Sequence, residues 1–203
     1  MSLKPNALTT LATAKSHLSI SPSDALQDVR LELLINAASE KIERYTNRTL
    51  VSQGTITELQ HGRRENILLL KQWPIIAISA VSVDYTAVHT APANVLAASD
   101  YAISDDLNSV LLINQTFPVG FNNIKITYTA GYVTVPSDLE LACLWLVEWY
   151  YLMRTRGDMG RTTASKGGES VGVLDHMPPM ISEMLEYYKR TEFAAINSPI
   201  RNH

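Results

Sequence analysis

Arg154, Arg156, Arg161 and Lys166 form the one concentration of positive charge in a glycine-rich, small-residue part of the chain. Cations on such a stretch suit contact with nucleic-acid phosphates or with a partner protein, and equally suit a helix end running into a solvated loop. Phosphate cradling of the P-loop kind needs G-x-x-x-x-G-K-[ST]; here Lys166 precedes Gly167, and no strand-loop-helix context surrounds it. A serine hydrolase would show G-x-S-x-G, which is missing, and the single cysteine, Cys143, lies inside an apolar run as a small core residue. His17, His61, His89, His176 and His203 lack H-x-x-x-H or H-E-x-x-H spacing, so no metal is implied. Asp100, Asp105, Asp106 and Asn108 lack the spacing and terminal Glu of a calcium loop and suit a hairpin turn instead. Neither a catalytic residue nor a cofactor site is expected.

Composition narrows the function further. A chain of 203 residues with 46% hydrophobic content is ample for a buried core. A net charge of -3 and a pI near 5.9 argue against gripping nucleic acid along the whole surface, though not against a local basic patch. One cysteine allows no intrachain disulfide. The first residues lack the apolar run of a signal peptide and no stretch is long enough for a bilayer, so a cytosolic chain is expected.

The element that must position the basic cluster is a helix over residues 135–157. Pro136, Ser137, Asp138 and Glu140 mark its start as a capping box; Arg154, Arg156 and Gly157 mark its end. Leu139, Ala142, Cys143, Leu146, Tyr150 and Met153 have the i, i+3, i+4, i+7 spacing of a core-facing stripe. Leu141, Trp145, Trp149 and Leu152 form a second apolar row, leaving little but Glu140 and Glu148 for water. A helix apolar nearly all round is either central or lies between its own domain and a neighbouring subunit. A membrane span fits poorly, because the run falls short of ~20 residues and each central carboxylate costs ~2.5–3.5 kcal/mol.

Before it, periodicity predicts a short helix over 9–18 and a long one over 24–45. The long helix has apolar stripes of Leu26, Val29, Leu33 and Ala37 and of Leu34, Ala38, Ile42 and Tyr45, with Asp28, Glu32, Asn36, Ser39 and Glu43 opposite. Strand-type runs follow at 50–60, 67–72, 75–85, 101–104, 110–114 and 124–129. They are separated by turn chemistry at His61-Gly62 and residues 105–108 and interrupted by Pro74, Pro92 and Pro118. The middle of the chain is therefore expected to be an insertion with its own small sheet. Residues 157–172 predict a mobile loop, and a last helix from Pro178 or Pro179 to about Thr191 carries Ile181, Met184, Leu185 and Tyr188 on one face, ahead of a loose tail. The class is α+β, a helical bundle core with an inserted antiparallel β unit, divided as 1–49 helical, 50–132 inserted β domain and 133–203 helical with the glycine-rich loop.

Residues 11–18 (LATAKSHL), 24–26 (DAL) and 34–48 (LINAASEKIERYTNR) resemble the N-terminal signature of the phage head–tail connector family. Residues 128–132 (YTAGY), 135–142 (VPSDLELA), the aromatic helix ending near Arg154 and Arg156, the glycine-rich loop and the closing Pro178, Ile181, Leu185, Tyr188 pattern are similar to its C-terminal half. The resemblance covers the two helical ends and departs from the smallest members by the β insertion, as in longer prophage-type variants. It implies a non-enzymatic virion assembly protein, located in the virion and, during assembly, in the host cytoplasm. Such a protein forms a homo-oligomeric ring joining the capsid portal to the tail around the DNA channel. Its partners would be the portal protein, tail-proximal phage proteins and DNA, in weak non-specific contact, with no membrane and no cofactor. On that reading Leu141, Trp145, Trp149 and Leu152 are candidates for a subunit contact, and Arg154, Arg156, Arg161 and Lys166 for contact with DNA or a partner. A stand-alone DNA-binding module is disfavoured by the pI and the lack of a recognition-helix pattern, and a small hydrolase by the lack of a paired nucleophile and base.

Overall fold

A computed structural model describes residues 2–84, 95–156, 163–166, 169–172 and 177–190, with Arg156 and the two segments after it as backbone alone. The order is α1 (Leu11–His17), a 3₁₀ turn (Ala25–Gln27), α2 (Asp28–Thr46), strands β1 (Thr55–Gly62) to β6 (Gly120–Ala130), α3 (Ser137–Arg156), β7 (Thr163–Lys166), β8 (Glu169–Gly172) and α4 (Pro179–Glu186). Helices and antiparallel sheets thus share one chain, as the α+β reading requires.

Local chemistry sets the helix ends. Thr10 Oγ1 accepts from the Thr13 N–H at 3.1 Å to cap α1, and Asp24 Oδ1 accepts from the Leu26 N–H at 3.0 Å to cap the 3₁₀ turn, so the α-helix proper begins at Asp28 rather than Asp24. Asn47, in the left-handed conformation at φ 54°, ends α2.

The buried face of α2 corrects the first expected stripe and keeps the second in part, through Ala38 and Ile42. Leu26, Val29 and Leu33 are 93%, 61% and 50% exposed, whereas Leu31, Ile35, Ala38 and Ile42 are fully buried together with Asn36, Ser39 and Thr46. Both stripes have helical spacing. The polar residues are buried because they hold the start of the chain: Asn36 Oδ1 accepts from the Lys4 N–H at 2.9 Å, and Ser39 Oγ accepts from the Leu8 N–H at 3.0 Å.

Where one small sheet was expected there are two of three strands. In the first the order is β1-β6-β3, with β3 Ile75–Val83; in the second it is β2-β5-β4, with β2 Ile67–Leu69, β4 Tyr101–Ile103 and β5 Ser109–Leu112. All pairings are antiparallel. Residues 105–108 do join a hairpin, between β4 and β5. His61 and Gly62 do not turn the chain; they end β1, where Gly62 faces Gly120 across a register shift. A Cβ on Gly62 would sit 1.7 Å from the Pro118 carbonyl oxygen, so only glycine fits. Pro92 falls outside the described residues.

Two buried clusters result. One collects Ala14, Ile35, Ala38, Ile42, Leu139, Ala142, Cys143, Leu146, Ile181 and Leu185 from all four helices; the other collects Leu68, Val81, Val110, Phe117, Ile124, Ile126 and Tyr128 from both sheets. Helices pack on helices and strands on strands, and among the described residues no helix shares an extended contact with a strand. The two clusters meet where Leu50 and Ser52 bond with Tyr132: Tyr132 N to Leu50 O is 2.7 Å and Ser52 N to Tyr132 O is 3.1 Å. Gly131, at φ 104°, permits this approach.

Candidate assembly faces

Helix α3 carries the residues that sequence reasoning singled out. Its first stripe is core: Leu139, Ala142, Cys143 and Leu146 are inaccessible to solvent. Burial pushes the Cys143 thiol up to about 12, against which only a weak Ser39 contact at 3.8 Å works. The second row, Leu141, Trp145, Trp149 and Leu152, is half-buried along the helix, with both indoles leaning on the helical cluster and Trp149 packing on Tyr150 at 5.2 Å between ring centroids.

The two carboxylates expected to face water do something else. Glu140 Oε1 accepts from the Thr9 hydroxyl at 2.9 Å, and Glu148 Oε2 meets His17 Nε2 at 2.9 Å. They fix the N-terminal segment across α3, a pairing over 131 positions that no local pattern encodes. Asp138 similarly accepts from the Tyr188 hydroxyl at 2.6 Å, tying the α4 end to the α3 start and, with burial, raising the Tyr188 pKa.

Of the basic candidates, Arg154 alone has a described side chain. Arg154 is exposed on the last turn of α3, and Arg156 is its final residue. Lys166 ends β7 and faces Glu169 across an antiparallel pair. Arg161 and Gly157 lie outside the described residues. The segment expected as a loop therefore contains a hairpin, with Thr163 facing Gly172 and Ala164 facing Val171. Its composition hid the strands, because Thr, Ser, Ala and Gly carry little apolar alternation; the Gly167-Gly168 dipeptide between two short runs was the available signal.

Sequence reasoning missed Arg48. Placed just after the α2 cap, it is 4% exposed, its guanidinium carbon stands 3.8 Å from the Trp73 ring centroid and 5.7 Å from that of Tyr132, and Nη2 donates to the Trp73 carbonyl. Nε and Nη1 find no hydrogen-bond partner among the described residues, and burial draws the pKa down. Arg48 thus clamps α2 to the segment before β3 and to the strand leading into α3. The two flanking aromatics, 25 and 84 positions away, were the only hint.

Beside it an open depression of about 550 Å³ is lined by Glu40, Glu43, Arg44, Asn47, Arg48, Thr49, Gln72 and Arg190. Glu43 is already engaged by Asn6 and by the Leu50 N–H, and Glu40 by Lys4. Among the described residues no three His, Cys, Asp or Glu side chains converge on a metal-sized site, and no helix is long and apolar enough to cross a membrane.

Comparison with known proteins agrees with a structural role. The profile of the head completion protein family matches residues 7–191. Among solved structures, a chain from "Neck of empty GTA particle computed with C6 symmetry" is 21% identical, with 96% of each chain covered and a TM-score of 0.61. A chain from "Virion of native gene transfer agent (GTA) particle" is 19% identical over 96% of this chain and 95% of that one, also at 0.61. A third, from "Neck of native GTA particle computed with C12 symmetry", is 20% identical with the same coverage and a TM-score of 0.60. At these identities the likeness is one of fold. No curated protein matches the sequence.

Proposed function

Because the chain belongs to the head completion protein family, structural proteins of virus particles, we propose that it is a ring-forming connector joining the capsid portal to the tail around the DNA channel. The carrying observation is the second row of α3: the helical cluster already takes its buried α3 side chains from the first stripe together with Leu144 and Val147, yet Leu141, Trp145, Trp149 and Leu152 present a further apolar strip that is only half-buried. Rows of this kind, rich in tryptophan, suit a subunit contact. The neck structures that share the fold were computed with sixfold and twelvefold symmetry, which supports a ring.

In this reading residues 1–49 and 133–203 act together as a helical bundle that forms the ring, and residues 50–132 are an inserted β domain that faces the tail, the portal or solvent. Arg154, Arg156, Arg161 and Lys166 contact DNA weakly and without sequence preference, or a neighbouring phage protein. The protein works in the virion and assembles in the host cytoplasm. No enzymatic step belongs to this role.

Sedimentation velocity over a wide concentration range, with electron microscopy of the concentrated protein, tests the proposal. Closed rings are expected; a monomer at every concentration, including with portal protein present, refutes it. Strongly salt-dependent DNA binding by the monomer would favour a stand-alone DNA-binding module instead.

A further inference from the structure

We infer that the β7–β8 hairpin of one copy adds to the free edge of β1 in the next copy, so that the ring is closed by a sheet shared between subunits. The inference rests on the ring reading above and adds the element that makes the contact.

The first observation is an incomplete sheet. β7 and β8 are four residues each and pair only with one another, with no third strand among the described residues. A lone two-stranded hairpin is marginal in water, so one this short needs a further strand to lean on. The second observation is an open edge. β1 is the outer strand of the β1-β6-β3 sheet and runs for eight residues. The opposite edge is partly occupied by a bridge between Ser82 and Val95, and the edge strands of the second sheet, β2 and β4, are only three residues long. Thr55-Ile-Thr-Glu-Leu-Gln-His-Gly62 contains none of the lysines or prolines that guard edges, and its single carboxylate, Glu58, is buried and bonded to the Tyr128 hydroxyl at 2.8 Å.

Reach decides which copy supplies the hairpin. α3 starts five residues after the junction at Tyr132 and runs for 20 residues, about 30 Å. It packs on α2, with Cys143 beside Ser39 and, further along, Glu148 at His17, so its far end runs back along the helices toward α1. Residues 157–162 span at most about 25 Å when fully extended. A tether of that length, attached about 30 Å out, cannot lay a hairpin along β1 of its own chain, whereas a neighbour's β1 is under no such limit. A contact between two different patches is also the kind that repeats around a ring, because the donor and acceptor elements of each copy stay available for the next. Strand addition supplies backbone hydrogen bonds without needing large side chains, which suits a hairpin whose strands are mostly Thr, Ala, Ser and Gly.

Amide hydrogen exchange on the unmodified full-length chain, dilute and concentrated, tests this. Peptides covering 55–62 and 163–172 should slow together on assembly, by tenfold or more. A variant with residues 163–172 replaced by an equal length of Gly-Ser should melt like the parent and stay unassembled. Rings formed by that variant, or assembly that slows 163–172 while leaving 55–62 unchanged, overturns the inference and leaves the ring reading standing. Should the variant fail to fold, exchange on the unmodified chain still decides. A parent that never assembles overturns the ring reading and this inference with it.

Discussion

Replacing Arg48 separates two accounts of how the helical and β parts are held together. Arg48→Ala removes the stack on Trp73, the hydrogen bond to the Trp73 carbonyl and two methylenes of stem, Cβ being kept. A desolvated cation–π contact is worth about 2 kcal/mol and a hydrogen bond from a charged donor about 1.5–3 kcal/mol. Against them stand two buried donors, Nε and Nη1, that find no partner among the described residues and cost about 1–3 kcal/mol each. These polar contributions nearly cancel. What remains is the packing of the stem, at about 0.8 kcal/mol per methylene, so Arg48→Ala should cost about 1.5–2 kcal/mol. Arg48→Met keeps the stem and drops the charge, and should stay within about 1 kcal/mol of the parent. Urea unfolding followed by far-ultraviolet circular dichroism measures both. If Met costs as much as Ala, the charge itself is holding the junction and the cancellation argued here is wrong.

Three further outcomes are expected. Gly131→Ala should destabilise by at least about 2 kcal/mol in the same urea assay, since residue 131 sits at φ 104° and a new Cβ would lie 2.8 Å from the Ser52 nitrogen; a neutral effect would mean that the junction relaxes freely. Trp145→Ser with Trp149→Ser should weaken self-association by roughly 2 kcal/mol or more in sedimentation, while costing less fold stability than the ~3–5 kcal/mol per residue of full core positions; rings that persist unchanged, or a chain that unfolds outright, count against the contact. Cys143, with its pKa pushed up to about 12 by burial, should resist thiol reagents at pH 8 until the protein unfolds. Because its folded pKa lies above the ordinary value of 9.0, the stability tied to its protonated form is intact below that value and is lost as pH rises toward 12. Cys143→Ala should therefore flatten the fall in stability over that range, and an unchanged slope would assign it to other groups.

Local signals carried much of the architecture. Cap residues and apolar spacing located α1, α3 and α4, and alternation with turn residues located the six strands of the middle region, because those patterns depend on neighbours a few positions apart. The first stripe of α3 was legible for the same reason. What the sequence alone left open was every choice between two equally periodic alternatives. Leu26, Val29 and Leu33 look as core-like as Leu31, Ile35 and Ile42, and only packing against α1, α3 and α4, with the docking of residues 4–8 on Asn36 and Ser39, decides which stripe of α2 is covered. Glu140 and Glu148 look like solvent residues until Thr9 and His17 arrive from 131 positions away. Arg48 looks like a helix-end cation until the fold sets Trp73 and Tyr132 around it. Periodicity reports which residues share a face; which face is buried, and which polar group gains a partner there, depends on long-range packing that brings distant segments together and offsets the cost of desolvating polar atoms.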